Sequence, residues 1–258
     1  MSSMVGSVAP SLPTMILDRS MNPDWLSNTY LIGDIKTGEG AFVDAGGPLA
    51  PLLELVDSKG LVITHILLTH HHHDHVAELG ELMERFPDAA VMAHPDEPIM
   101  GVNRTLQPHE RVQVGELGVE ALPTPGHTKG MLSFRVGNAV FTGDTLFKDS
   151  VGGVRAPGHT TYADLKASIM DGLMKLPPET DLLPGHTDAT TVGEEWDHNP
   201  FIRVWRGLDP EGDQPCTAMG DRATLILRAP DYDGGTKAWV RWPDGSDDIV
   251  PGSQVQPE

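Results

Sequence analysis

The run Thr69-His70-His71-His72-His73-Asp74-His75 puts five histidines and one carboxylate into the six residues 70–75. Neutral imidazole nitrogens and carboxylate oxygens are the ligands that zinc, iron and manganese take. Such a tract alone is ambiguous, because His-rich segments also form loose metal-binding loops. Three further segments carry the same donor types: Thr124-Pro125-Gly126-His127-Thr128, Phe141-Thr142-Gly143-Asp144-Thr145 and Leu183-Pro184-Gly185-His186-Thr187. In each, an apolar stretch ends, a glycine opens the backbone, and a His or Asp follows. A single His-Thr pair in a loop reads as a solvated or hydrogen-bonded residue. The ordered set, with five histidines and two aspartates, matches the count needed for two metals joined by a carboxylate.

The elements around these segments must present them from a rigid frame. Residues 31–32 and 41–43 read as strands separated by a turn, and Leu49, Leu52, Leu53 and Val56 recur at helical spacing over 48–58. Residues 63–68 form a short buried-strand pattern, 76–86 a helix and 89–93 a strand. The second half repeats the rhythm: strands over 119–122, 131–136, 139–142 and 180–183, one amphipathic helix over 162–176, and a short helix over 192–198 stopped by Asn199-Pro200. This alternation predicts a layered α/β domain over residues 1–208. From Asp209 the character changes. Pro210, Gly212 and Pro215 mark a linker, and 224–227, 238–241 and 248–250 alternate like exposed strands between Gly-rich turns. Residues 209–258 are expected to form a small all-β appendage, with Trp239 and Trp242 in its local core.

Composition narrows the classes. The chain has 258 residues, 39% hydrophobic and 21% charged, which suits a packed globular protein. Its net charge of −19 repels nucleic-acid phosphates and anionic membranes, so neither is expected as a partner. The lone Cys216 permits no intrachain disulfide, which fits a reducing compartment. The N-terminus lacks a basic, apolar leader, and no apolar run reaches the ~20 residues of a membrane span. A cytoplasmic protein is expected, with self-association left open.

The order H-x-H-x-D-H, then TPGHT, FTGDTLF and PGHT, resembles the metallo-β-lactamase-fold hydrolases over about residues 15–205. That resemblance implies an αββα sandwich with the site along one edge of the two sheets. It implies that His70, His72 and His127 hold one metal, that Asp74, His75 and His186 hold a second, and that Asp144 bridges them. His71 and His73 fall on variable positions. The implied cofactors are two divalent transition metals, zinc first, with iron or manganese as alternatives. Two metals about 3.5–4 Å apart can hold a bridging hydroxide that attacks a carbonyl carbon. Asp74 would orient that nucleophile as well as bind metal, a catalytic role.

A bridging Asp144 argues against a true β-lactamase. Residues 141–147, with 189–195 and Asn199-Pro200-Phe201, are similar to the bacterial glyoxalase II-like group, the hydroxyacylglutathione hydrolases. The implied substrate is a small-molecule thioester or ester. The chain departs from that group in its short, acidic, β-like tail, and in Thr187-Asp188 where a glutathione-binding tyrosine usually follows the last motif. Lys148 or Arg155 is a candidate for a substrate carboxylate; Arg203 and Arg206 are weaker ones. The alternatives are a lactonase of the acyl-homoserine-lactone type, which would want Tyr30 or Tyr162 near the metals, a persulfide dioxygenase with one iron, and a non-catalytic metal-binding protein.

Overall fold

The computed structural model describes residues 15–258; the rest of the expected lead-in lies outside them. The first sheet contains β1 (Met15–Met21), β2 (Asn28–Asp34), β3 (Glu39–Val43), β4 (Val62–Leu67), β5 (Ala90–Ala93) and β6 (Arg104–Thr105), in that spatial order. Side chains alternate across it. Tyr30, Ile32, Ala41, Val43 and Leu67 enter a core between two sheets. Leu31, Phe42 and Ile66 face the other way, onto α1 (Ala50–Lys59) and α3 (Leu79–Arg85). Period-2 alternation of apolar residues on both faces is what a strand needs when both sides are covered.

The second sheet contains β7 (Arg111–Val114), β8 (Leu117–Pro123), β9 (Leu132–Val136), β10 (Ala139–Gly143), β13 (Asp181–Pro184) and β14 (Thr190–Thr191). Between β10 and β13 the chain makes a small ribbon, β11 (Leu146–Phe147) with β12 (Ser150–Val151). Phe134, Phe141 and Leu183 meet the first sheet, while Val140 and Leu182 face α4 (Tyr162–Ala167), α5 (Val192–His198) and α6 (Pro200–Trp205). The layers are therefore helix, sheet, sheet, helix, the αββα sandwich that the sequence resemblance implies. Among the described residues no helix is long and apolar enough to cross a membrane.

Four expectations needed correction. The run 76–86 is not one helix. A short α2 (His73–Val76) starts inside the histidine run, and α3 follows it. The helix expected over 162–176 ends at Ala167 and widens into a π turn, Ser168–Gly172, then a 3-10 turn, Leu173–Lys175. The cause is contact with the loop carrying His127. Ser168 Oγ donates to the Pro125 carbonyl at 2.7 Å, and a Cβ on Gly126 would stand 2.6 Å from the Leu165 Cα. Wide turns of this kind often mark functional sites.

The third correction concerns the expected linker. Residues Gln214–Ala218 form a strand, β15, and join β16 (Asp221–Pro230), β17 (Thr236–Arg241), β18 (Asp247–Pro251) and β19 (Val255–Pro257) in a five-stranded antiparallel sheet. Pro215 is tolerated because its carbonyl, and with it its nitrogen, faces the end of β19, where it accepts from the Glu258 N–H at 3.1 Å, so its missing N–H costs no bond to β16. Cys216 and Val240 form a small core of this sheet, with Trp242 packed against it. The fourth correction is Trp239, which instead enters the cluster shared with Leu165, Ile202 and Leu173, so it docks the sheet onto the helical layer.

Candidate metal centre

All four donor segments leave the C-terminal ends of strands: β4, β8, β10 and β13. Because β8 and β10 are both antiparallel to β9, and β13 is parallel to β10, their three loops emerge on one edge. The edge is cross-linked where the Asn28 N–H donates to the Gly185 carbonyl at 2.7 Å. Within the histidine run, His70 and His72 sit on the loop, and α2 turns Asp74 and His75 toward a second point. Gly185 is required there, since a Cβ would lie 2.4 Å from Asp144 Oδ1.

The seven expected ligands converge in two sets. Donor atoms of His70, His72 and His127 lie within 4.8 Å of one another, and so do those of Asp74, His75 and His186. Asp144 reaches both sets, 3.4 Å from His127 Nε2, 3.2 Å from His75 Nε2 and 3.3 Å from His186 Nε2. His71 and His73 stay outside the cluster. His71 turns to Glu97, and His73 meets the edge of Trp25.

The outer partners fix which nitrogen faces inward. A carbonyl only accepts, so the ring nitrogen that meets one carries a proton, and in the neutral ring the other keeps its lone pair. His127 Nδ1 donates to the Gly153 carbonyl at 2.8 Å and His186 Nδ1 to the Trp25 carbonyl at 3.0 Å, which turns each Nε2 toward the cluster. His75 Nδ1 donates to Asp44 Oδ2 at 2.9 Å, and His70 Nδ1 meets Thr69 Oγ1 at 3.0 Å. His72 is reversed: its Nε2 donates to the Pro157 carbonyl at 2.9 Å, so Nδ1 faces His127. The donor set fits a metal. His70 Nε2 and Asp144 Oδ1 are buried without a hydrogen-bond partner, an arrangement that costs about 1–3 kcal/mol per group unless something binds it.

The electrostatics follow from burial and the carboxylates. Burial alone would raise Asp144, but His186 and His75 outweigh it and hold its carboxyl well below the usual range. Burial opposes charge on His186, yet Asp144 and Asp74 lift it to about 9. His75 is likewise raised against its burial by Asp144 and Asp44. His70 is pushed well below the ordinary value by burial and by His75, and His127 falls to about 4 through burial. Asp74 is lowered because its bond to His186 outweighs desolvation.

Sequence reasoning missed two supports. Asp44 accepts from the Thr69 N–H, Thr69 Oγ1 and His75 Nδ1. Buried Glu97 accepts from the His71 N–H at 2.9 Å, Thr128 Oγ1 at 2.7 Å and the Gly130 N–H at 2.9 Å. It thereby ties the loop of His70 and His72 to the loop of His127. Partners of this kind orient metal ligands. Tyr232, from the C-terminal sheet, was missed too: its ring stacks on His186. The expected tyrosines point elsewhere, Tyr30 donating to the Pro184 carbonyl and Tyr162 accepting from Trp205 Nε1. Arg203 is tied to Asp209, and Arg206 lies over Trp196. Lys148 is exposed, whereas Arg155 pairs with Asp248 beside the centre.

Comparison with known proteins agrees with this geometry. The sequence model of the Metallo-beta-lactamase superfamily matches residues 22–186. A mouse (Mus musculus) hydroxyacylglutathione hydrolase-like protein is 31% identical over 218 residues, covering 68% of this chain and 75% of its own. The crystal structure of ETHE1 from Myxococcus xanthus superposes with a TM-score of 0.67 at 31% identity, over 75% of this chain and 91% of that one. The structure of TTHA1623 in a di-iron-bound form gives 0.60 at 33% identity, over 70% and 98%.

Proposed function

The chain belongs to the Metallo-beta-lactamase superfamily, and on that premise we propose that it is a dinuclear metal-dependent hydrolase of a small thioester or ester. One observation carries the proposal: Asp144 stands between two three-ligand sets, within 3.4 Å of a histidine in each. A single metal held by two histidines and an aspartate would leave the other set without a purpose. The di-iron form of TTHA1623 supports a two-metal arrangement for this fold and keeps iron beside zinc as a candidate. The name of the mouse relative points to thioesters.

Bound metals would supply Lewis acidity and an activated water. The chain's own residues do the rest. His70, His72 and His127 would hold one ion, Asp74, His75 and His186 the other, and Asp144 both. Asp74 is the most open of the carboxylates, with its side chain 28% exposed against 8% for Asp144. As a carboxylate ionised at neutral pH, it can orient the attacking water and pass that water's proton to the leaving group. Asp44 and Glu97 act through the ligands they orient. The absence of a tyrosine at Thr187-Asp188 leaves the thiol to be identified by experiment.

The test is a substrate panel on metal-loaded protein: thioesters of glutathione and other small thiols, with acyl-homoserine lactones. Metal-dependent thioester cleavage well above lactone opening is expected. Failure to cleave any member of the panel contradicts the proposal.

A further inference from the structure

A cleft of about 710 Å³ opens beside His127, between the 153–156 segment and the C-terminal sheet. The turn between β16 and β17 forms part of its wall. Tyr232 in this turn stacks on His186 with ring centroids 4.2 Å apart and planes at 18°, and packs on Phe147 at 4.8 Å. The turn is held from below. Asp231 Oδ1 accepts from Ser150 Oγ at 2.8 Å and pairs with Lys237 Nζ at 3.1 Å, while Lys237 donates to the Val151 carbonyl at 2.6 Å. The Lys237 and Asp231 side chains are only 9% and 11% exposed. A nearly buried ion pair is costly to leave half-made, so this link holds Tyr232 against the ligand cluster.

The Tyr232 hydroxyl has no hydrogen-bond partner among the described residues, although its ring is half-buried. A phenol with an apolar body packed and its polar end free is suited to meet a ligand. Three cations line the same cleft. Arg155 is neutralised by Asp248 and Lys237 by Asp231. Arg228 donates only to the Val255 carbonyl, at 2.6 Å, and among the described residues has no carboxylate partner. Asp233 is exposed in the turn and accepts from the Gly235 N–H.

We propose that this cleft is the substrate groove, that Tyr232 positions the acyl group beside the ligand cluster, and that Arg228 holds an anionic tail of the substrate. The C-terminal sheet is then part of the site, and the substrate class is an acyl compound carrying a second negative charge. The identity of the occupant rests on the hydrolase function proposed above; its binding does not require turnover.

The test is therefore equilibrium binding by calorimetry to metal-loaded protein. The probes are glutarate and adipate, each against the monoacid of equal length, valerate and hexanoate. One carboxylate can meet the metals in every probe, and only the diacids carry a tail charge. The better diacid is expected to bind about tenfold more tightly than its monoacid. Arg228→Ala should reduce that ratio to below about threefold, while Arg222→Ala, at the other end of the same strand, leaves it intact. Tyr232→Phe keeps the stacking and should weaken every acid several-fold. The proposal is overturned by a wild-type ratio near one, by a ratio that survives Arg228→Ala, by Tyr232→Phe binding like wild type, or by no binding of any acid. Ester turnover is scored separately, so loss of the hydrolase proposal and loss of this one give different results.

Discussion

Asp144 touches histidines of both ligand sets, so its removal acts on both at once. Asp144→Ala is expected to lose bound metal and about 10³-fold in kcat/KM, the several kcal/mol that metal stabilisation of a transition state supplies. Metal analysis beside kinetics checks this; wild-type rate at wild-type metal content contradicts it. Glu97 acts only through the loops it ties together. Glu97→Gln should weaken metal affinity by roughly 10–100-fold, read by competition with a chromogenic chelator, and unchanged affinity would remove its positioning role. The seven residues that converge on one edge were legible as candidates because each sits in a short local pattern: His and Asp packed into one run, or following a glycine at a strand end. Asp44 carried a related signal, since Asp44-Ala45-Gly46-Gly47 also ends a strand. Glu97 carried none, because its partners lie 26 to 33 residues away on other loops. Tyr232 belongs to a different sheet, and no local pattern relates it to His186.

Strand positions were readable where apolar runs end at glycine or proline turns, as in β10 and β13, because burial on both faces imposes such runs. Irregular elements were not. The turn after α4 departs from helix through tertiary contact with Pro125 and Gly126, which helical spacing cannot encode. β15 was taken for linker because Pro215 usually excludes a strand, and its tolerance depends on where β19 stops. Asn199 accepts from the Phe201 and Ile202 N–H groups and starts α6. Asn199→Ala is expected to cost about 0.5–2 kcal/mol, measured by urea denaturation. Trp239 carries more, since it joins the C-terminal sheet to the helical layer. Trp239→Ala should cost about 3–5 kcal/mol and lower the thermal midpoint. A midpoint within experimental error of wild type would mean that the sheet is not held by this contact.

Across the whole molecule, folding brings Asp44, Asp74 and Asp144 to one buried edge of a chain whose net charge is −19. Those carboxylates draw protons onto His75 and His186 when no metal is bound. The raised pKa of His186 stabilises the metal-free fold; that contribution is complete below about 6.5 and is lost as pH rises through about 9. Metal ligation needs neutral imidazole. Metal uptake at pH 7 should therefore release protons from His186 and His75, and affinity should climb with pH until about 9. His127, pushed down to about 4, is already neutral at pH 7 and releases none. Calorimetry in buffers of different ionisation enthalpy counts the protons; zero release contradicts the charge arrangement. The central claim, two metals working as one centre, is tested most directly by titrating metal-free protein with zinc while following hydrolysis of its best thioester. Activity is predicted to rise to a plateau at two equivalents per chain, and full activity at one equivalent, or none at any, would contradict it.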